Sequence, residues 1–131
     1  IITLSKIKLF YHIMAVSYIT RNNKRVLFIE YKDCKSVEDT LRVLDQIKTE
    51  FLKTEGVWLT LHDFSNGFGS NEFMKKASQY ANEYFNKRPA LNAAIGVSGL
   101  KKILLQGYNL VVKDKIVPFN TMDEALNYLT R

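Results

Sequence analysis

Asp63, Ser65, Asn66 and Ser70, with Gly67 and Gly69 between them, form the densest run of chemically capable residues in the chain, HDFSNGFGSNEF over 62–73. An acid, hydroxyls and two glycines one residue apart could cradle a phosphate, accept one covalently, serve a catalytic centre or simply turn the chain. A helix N-terminus presents free backbone N–H groups and about half a positive charge. A helix opening at Ser70 would therefore favour an anion there, including a phosphoryl group on Ser70 itself. Gly67 and Gly69 would let backbone approach a ligand or take positive φ. Nucleotide cradles, however, need G-x-G-x-x-G or G-x-x-x-x-G-K-[ST], and this text completes neither. The loop reads as a strand-to-helix turn first, a partner or ligand surface second, and a phosphorylation site at Ser65 or Ser70 third.

A second run, Ser98-Gly99-Leu100-Lys101-Lys102, also opens a helix after a strand. If the two strands are parallel, both helix starts share the sheet edge where open α/β folds hold ligands. Ser98, Gly99 and Lys101 then join Gly67 and Gly69 as anion- or ligand-binding candidates, with Ser98 as helix cap. Catalytic alternatives are thin. His62, Asp63 and Ser65 cannot converge as a triad, because neighbours on an extended strand alternate faces. Cys34 lies in a polar turn between Lys32 and Lys35, which would lower its pKa, but no histidine is evidently paired with it. Two histidines in all, His12 and His62, leave no zinc-ligand set. Glu30 reads as a strand-end residue and Trp58 as core. No catalytic residue, metal or cofactor is expected.

The elements that must position these residues alternate along the chain. AVSYIT (15–20) and RVLFIEYK (25–32) flank Asn22-Asn23 as a β-hairpin. Ser36, with Asp39 three residues on, opens a helix whose inward stripe is Val37, Leu41, Leu44, Ile47 and Phe51, and Gly56 is placed to stop it. VWLTLHDF (57–64) is the next strand. Ser70 caps a helix with Phe73, Ala77, Tyr80, Ala81 and Tyr84 inward. LNAAIGV (91–97) is a strand, followed by a helix carrying Leu100, Ile103, Leu104 and Tyr108. KIVPF (115–119), with Pro118 suited to an edge, leads to Thr121 and Glu124, a second capping box. The final helix turns Met122, Ala125, Leu126 and Leu129 inward. The order ββαβαβαβα implies an α/β fold: a single domain with a mixed, mostly parallel sheet of about five strands and about four helices.

At 131 residues the chain is one domain on length alone. One cysteine excludes an internal disulfide and fits a reducing cytoplasm. The net charge of +6 comes from basic residues that are scattered or paired near acids, which argues against specific nucleic-acid binding. The stretch IKLFYHIMAVSYI is too short to span a membrane and carries Lys8 and His12, so no transmembrane segment is expected. Residues 1–13 show no cap, turn signal or alternation. They read as a non-native or disordered extension, with Met14 as the natural start and 14–131 as the domain. Without them the charge is +4, since Lys6 and Lys8 go and no acid does.

Three pieces of text, HDFSN (62–66), AAIGVSGLKKILL (93–105) and PFNTMDEALNYL (118–129), carry a resemblance across roughly residues 15–131. The chain resembles the STAS family, and within it the STAS/SEC14-like, or SpoIIAA-like, bacterial domains. The resemblance implies a regulatory or protein-interaction module without enzymatic activity, with phospho-regulation as an option and a protein as its partner. In that family a phosphorylatable residue often stands at the start of the helix after the DFSN-like strand. Ser70 occupies that place, in the text GFGSNEF where the family has D-x-S-G-L, so the correspondence is one of position. SEC14-like relatives hold apolar ligands, which gives the alternative of a small-molecule or lipid-binding domain with a small apolar ligand. The oligomeric expectation is a monomer or weak homodimer.

Overall fold

A computed structural model describes residues 15–66 and 69–131; the expectations placed on residues 1–13, Met14 and Gly67 fall outside that range. The elements in chain order are β1 (Val16–Arg21), β2 (Lys24–Glu30), α1 (Val37–Lys53), β3 (Trp58–Asp63), α2 (Asn71–Glu83), a 3-10 turn (Phe85–Lys87), β4 (Ala90–Ile95), α3 (Leu100–Tyr108), β5 (Ile116–Pro118) and α4 (Met122–Thr130). The expected order is the observed one. Asn22 and Asn23 both take positive φ (53° and 61°), the conformation a two-residue hairpin requires and asparagine tolerates. The hairpin pairs β1 antiparallel to β2, with Val16 opposite Ile29 and Arg21 opposite Lys24.

The five strands lie in the order β1-β2-β3-β4-β5, and every pair after the hairpin is parallel. Each crossover steps to the next strand in the same direction. Right-handed crossovers therefore deliver α1, α2 and α3 to one face of the sheet. On that face Ile29, Tyr31 and Trp58 pack against Val43, Leu44 and Phe51 of α1, Phe73 and Ala77 of α2, and Leu105 and Tyr108 of α3. The opposite face, with Val26, Leu59, Leu61 and Ala93, is covered by α4 through Ala125, Leu126 and Leu129. A nine-residue helix is marginal alone. Burying Leu126 and Leu129, at about 1.5–3 kcal/mol each, is what fixes α4 in place.

Helix starts follow the capping logic with one exception. Ser36 Oγ accepts from the Asp39 N–H (3.2 Å), while Asp39 Oδ2 accepts from the Lys35 N–H, one residue before the cap. Ser70 Oγ accepts from the Phe73 N–H (3.1 Å), and Thr121 Oγ1 from the Glu124 N–H (3.2 Å). Ser98 does not cap α3. The cap position is Gly99, at φ 57° and ψ −131° with no side-chain bond, because the chain leaves β4 through two left-handed glycines, Gly96 (φ 72°) and Gly99. α3 is also rotated from the expected stripe. Leu105 and Tyr108 face the sheet, whereas Leu100 and Ile103 are 62% and 65% exposed. In α1 the buried stripe is Thr40, Val43, Leu44, Ile47 and Phe51, leaving Val37 and Leu41 at its margin. α1 ends at Lys53, three residues before Gly56. Its last carbonyls and the following turn are tied by Arg88, which donates to the carbonyls of Phe51 (2.9 Å), Thr54 (3.0 Å) and Gly56 (2.6 Å).

Candidate functional site

Strand alternation sends His62 to the face under α1–α3 and Asp63 to the other, so the two neighbours have separate surroundings. On the helical side three rings stack almost in parallel. Tyr31 lies 4.8 Å from Phe64 (10° between planes), and His62 lies 5.7 Å from Phe64 (6°). Phe73 meets Tyr31 edge-on at 5.6 Å. Between this stack, α2 and α3 is an apolar cavity of about 50 Å³ whose walls include Tyr31, Phe64, Phe73, Met74, Leu104 and Tyr108. A smaller cavity of about 20 Å³ next to it also touches His62, Tyr108 and Ile116.

A chain of hydrogen bonds runs along the cavity floor across three strands. Thr60 Oγ1 donates to Asn92 Oδ1 (2.6 Å), and Asn92 Nδ2 donates to the Asp114 carbonyl (2.8 Å). With its one proton committed, Thr60 must accept from His62 Nε2–H (3.3 Å). Burial lowers the His62 pKa to about 4 and raises that of Tyr31 well above 10, so the imidazole is neutral. Its Nδ1 is then bare and accepts from the Tyr31 O–H (3.1 Å). Every side-chain nitrogen and oxygen in this chain of hydrogen bonds has a partner, which makes it a rigid polar seam in an apolar layer.

The loop after β3 is held at both ends. Phe64 N–H donates to the Ile95 carbonyl (3.0 Å), and the Ser65 N–H to Asp63 Oδ1 (2.9 Å). Lys101, from the start of α3, donates its ammonium to the Phe64 carbonyl. Gly96 passes directly over Ser65, where a Cβ would stand 2.5 Å from the Ser65 N and Cα. Gly69 packs on α3, where a Cβ would stand 2.6 Å from Leu104 Cδ1. The sequence candidates thus divide. Asp63 and Ser65 form a local turn with Asn66 exposed beside it; Gly69 and Lys101 border the cavity; Ser70 is a helix cap; Ser98 and Gly99 lie exposed at the start of α3, away from the cavity.

Residues that sequence reasoning passed over are Tyr31, His62 and Tyr108 as cavity walls and Gly96 as the loop's seat. The signal for the seam was polar residues at alternate positions, Thr60 and His62 on β3 and Asn92 on β4. Cys34 is buried, contrary to a polar turn. Burial first, then the charges of Asp39 and Asp33, push its thiol up to about 11, the opposite of the lowering expected from Lys32 and Lys35. Among the described residues no group of three or more His, Cys, Asp or Glu could hold a metal ion, and no helix is long and apolar enough to cross a membrane.

No protein-family model matches the chain, and no curated protein matches it. Among solved structures, an uncharacterized protein of the DUF3478 family from Shewanella loihica PV-4, described as having a SpoIIAA-like fold, superposes with a TM-score of 0.60 at 13% identity. The match covers 88% of this chain and 92% of that one. At that identity the likeness is one of fold, and the chain has a SpoIIAA-like fold, as the DFSN, VSGLKK and TMDEALNYL texts imply.

Proposed function

We propose that this domain is a non-enzymatic regulatory module, of STAS-like kind and bacterial cytoplasmic setting, that binds a protein partner at the carboxyl edge of its sheet. The observation that carries the reading is the outward turn of α3. Leu100 and Ile103, one helical turn apart, stand exposed beside the loop that holds Asp63, Ser65 and Asn66. Two large aliphatic side chains facing water next to a polar loop make a hydrophobic anchor with a polar rim, the anatomy of a protein interface. Ser65 is the more accessible of the two candidate switch serines, since the Ser70 hydroxyl already accepts the Phe73 N–H. Affinity capture from the native organism would compare wild type with Leu100→Asp/Ile103→Asp and with Ser65→Asp, each checked for native circular dichroism. The module reading expects partners lost by the double variant. Identical partner sets for wild type and the double variant would remove this surface from consideration.

The cavity under Phe64 and Leu104 favours a second reading, in which a small apolar molecule binds inside the same edge. The two readings are compatible, since α3 forms both the cavity wall and the exposed anchor. Native mass spectrometry of protein purified without detergent tests the second. A stoichiometric small-molecule adduct supports it, and a bare protein mass from several expression hosts argues against it.

A further inference from the structure

We infer that the cavity takes a small uncharged molecule, apolar over most of its surface, whose single carbonyl or ether oxygen accepts the Tyr108 O–H. This rests on the second reading above and adds the ligand's chemistry to it. Tyr31, Thr60, His62 and Asn92 are all paired along the floor. Tyr108 is different. The residue is 8% exposed, yet among the described residues its hydroxyl has no hydrogen-bond partner. No fully enclosed side-chain nitrogen or oxygen is left without one among those residues, so this hydroxyl borders open space. Tyr108 lines both cavities. A phenol this deep ordinarily finds a partner, and here a bound oxygen would supply it. Burial pushes the phenol's pKa up, so it remains a donor at neutral pH.

Charge and size narrow the ligand. His62 is neutral and its nitrogens are used. The Lys101 ammonium keeps its charge while serving the Phe64 carbonyl, but desolvating a carboxylate in this apolar space costs more than one such partner returns. At about 10–15 Å³ per water-sized group, some 50 Å³ holds roughly four such groups. Met74 and Leu104 are flexible walls that can yield to one or two more. Short ketones and small cyclic ethers fit these limits.

The test titrates cyclopentanone, cyclopentane and isobutyrate into the isotope-labelled full chain and follows the amide resonances of Phe64, Gly69 and Tyr108. Tyr108→Phe, first confirmed to be folded by its urea midpoint, is run in parallel. The expected result is saturable binding of cyclopentanone that Tyr108→Phe weakens about 5- to 10-fold, or about 1–1.4 kcal/mol. Cyclopentane should change less than about 2-fold between the two proteins, and isobutyrate should not bind. Equal binding of cyclopentane and cyclopentanone, indifferent to Tyr108→Phe, would overturn the oxygen contact while leaving the cavity reading intact. Isobutyrate binding as well as cyclopentanone would overturn the preference for an uncharged ligand. If none of the three moves these resonances, the cavity reading falls and this inference with it.

Discussion

His62 makes the stability of this domain depend on pH in a window that its surroundings define. In the unfolded chain the imidazole takes a proton near pH 6.5; in the folded chain burial holds it neutral down to about pH 4. Between those values the unfolded state binds the extra proton, so stability falls as pH falls through the window. It is fully present above about 6.5 and the loss levels off below about 4. Each pH unit between the two values is worth about 1.4 kcal/mol, so the whole loss is about 3 kcal/mol, and about 2 kcal/mol has gone by pH 5. A little of the residue still reaches open space at the cavity, which makes these upper values. Burial alone shifts the ring. Tyr31 and Thr60 hold its nitrogens and Phe64 covers its face; the other ionisable side chains lining the two cavities it touches are Tyr108, the cation Lys101 and Asp114, whose carboxylate is taken by the Ala90 N–H and Lys113.

The assay is urea unfolding of wild type and His62→Gln from about pH 7 to about pH 5. Glutamine can accept from Tyr31 through Oε1 and donate to Thr60 through Nε2, so it keeps the seam but cannot titrate. Surface carboxylates titrate alike in both proteins, and the difference between the two curves isolates His62. Wild type should lose about 2 kcal/mol more than the variant. The imidazole resonance absent from His62→Gln should stay in its neutral position down to about pH 5. Parallel loss of stability in both proteins, or a midpoint for that resonance near 6.5, would refute the reasoning.

Other consequences are as direct. Gly96→Ala forces a Cβ into the Ser65 backbone at a positive φ, so urea unfolding should show a loss of about 2–4 kcal/mol; Gly69→Ala meets only the tip of Leu104 and should cost under about 1.5 kcal/mol. Arg88→Ala leaves three carbonyls around the end of α1 without their donor and should destabilise by about 2–3 kcal/mol. Arg88→Lys should recover less than half, since one ammonium cannot span the fork. Cys34, held up to about 11, should react with a thiol reagent near pH 8 at least about 100-fold more slowly than in the urea-unfolded chain. Rapid labelling of the folded protein would show the turn around Cys34 to be open.

What the sequence made legible was local, and what it withheld depended on register. Asn22-Asn23 announced a hairpin because two positive φ values in succession call for such residues. Ser36, Ser70 and Thr121 announced helix starts because a cap and the N–H it accepts lie three residues apart. The same reasoning failed at Ser98, where the geometry of leaving β4 recruited Gly96 and Gly99 in place of a side-chain cap. The loop at 62–73 was visible as a candidate site, and its Asp63, Ser65 and Ser70 do form the turn and cap expected there. Its deeper half was not. Tyr31 and His62 stand 31 residues apart, as do Phe64 and Ile95, and they meet only once β2, β3 and β4 are in parallel register. That register also decides which face of α3 is spent on the core. With Leu105 and Tyr108 committed to the cavity wall, Leu100 and Ile103 are left on the outside. A helix that reads in sequence as ordinary packing therefore becomes, through the register of the sheet beneath it, the element that joins a ligand-sized cavity to an exposed anchor.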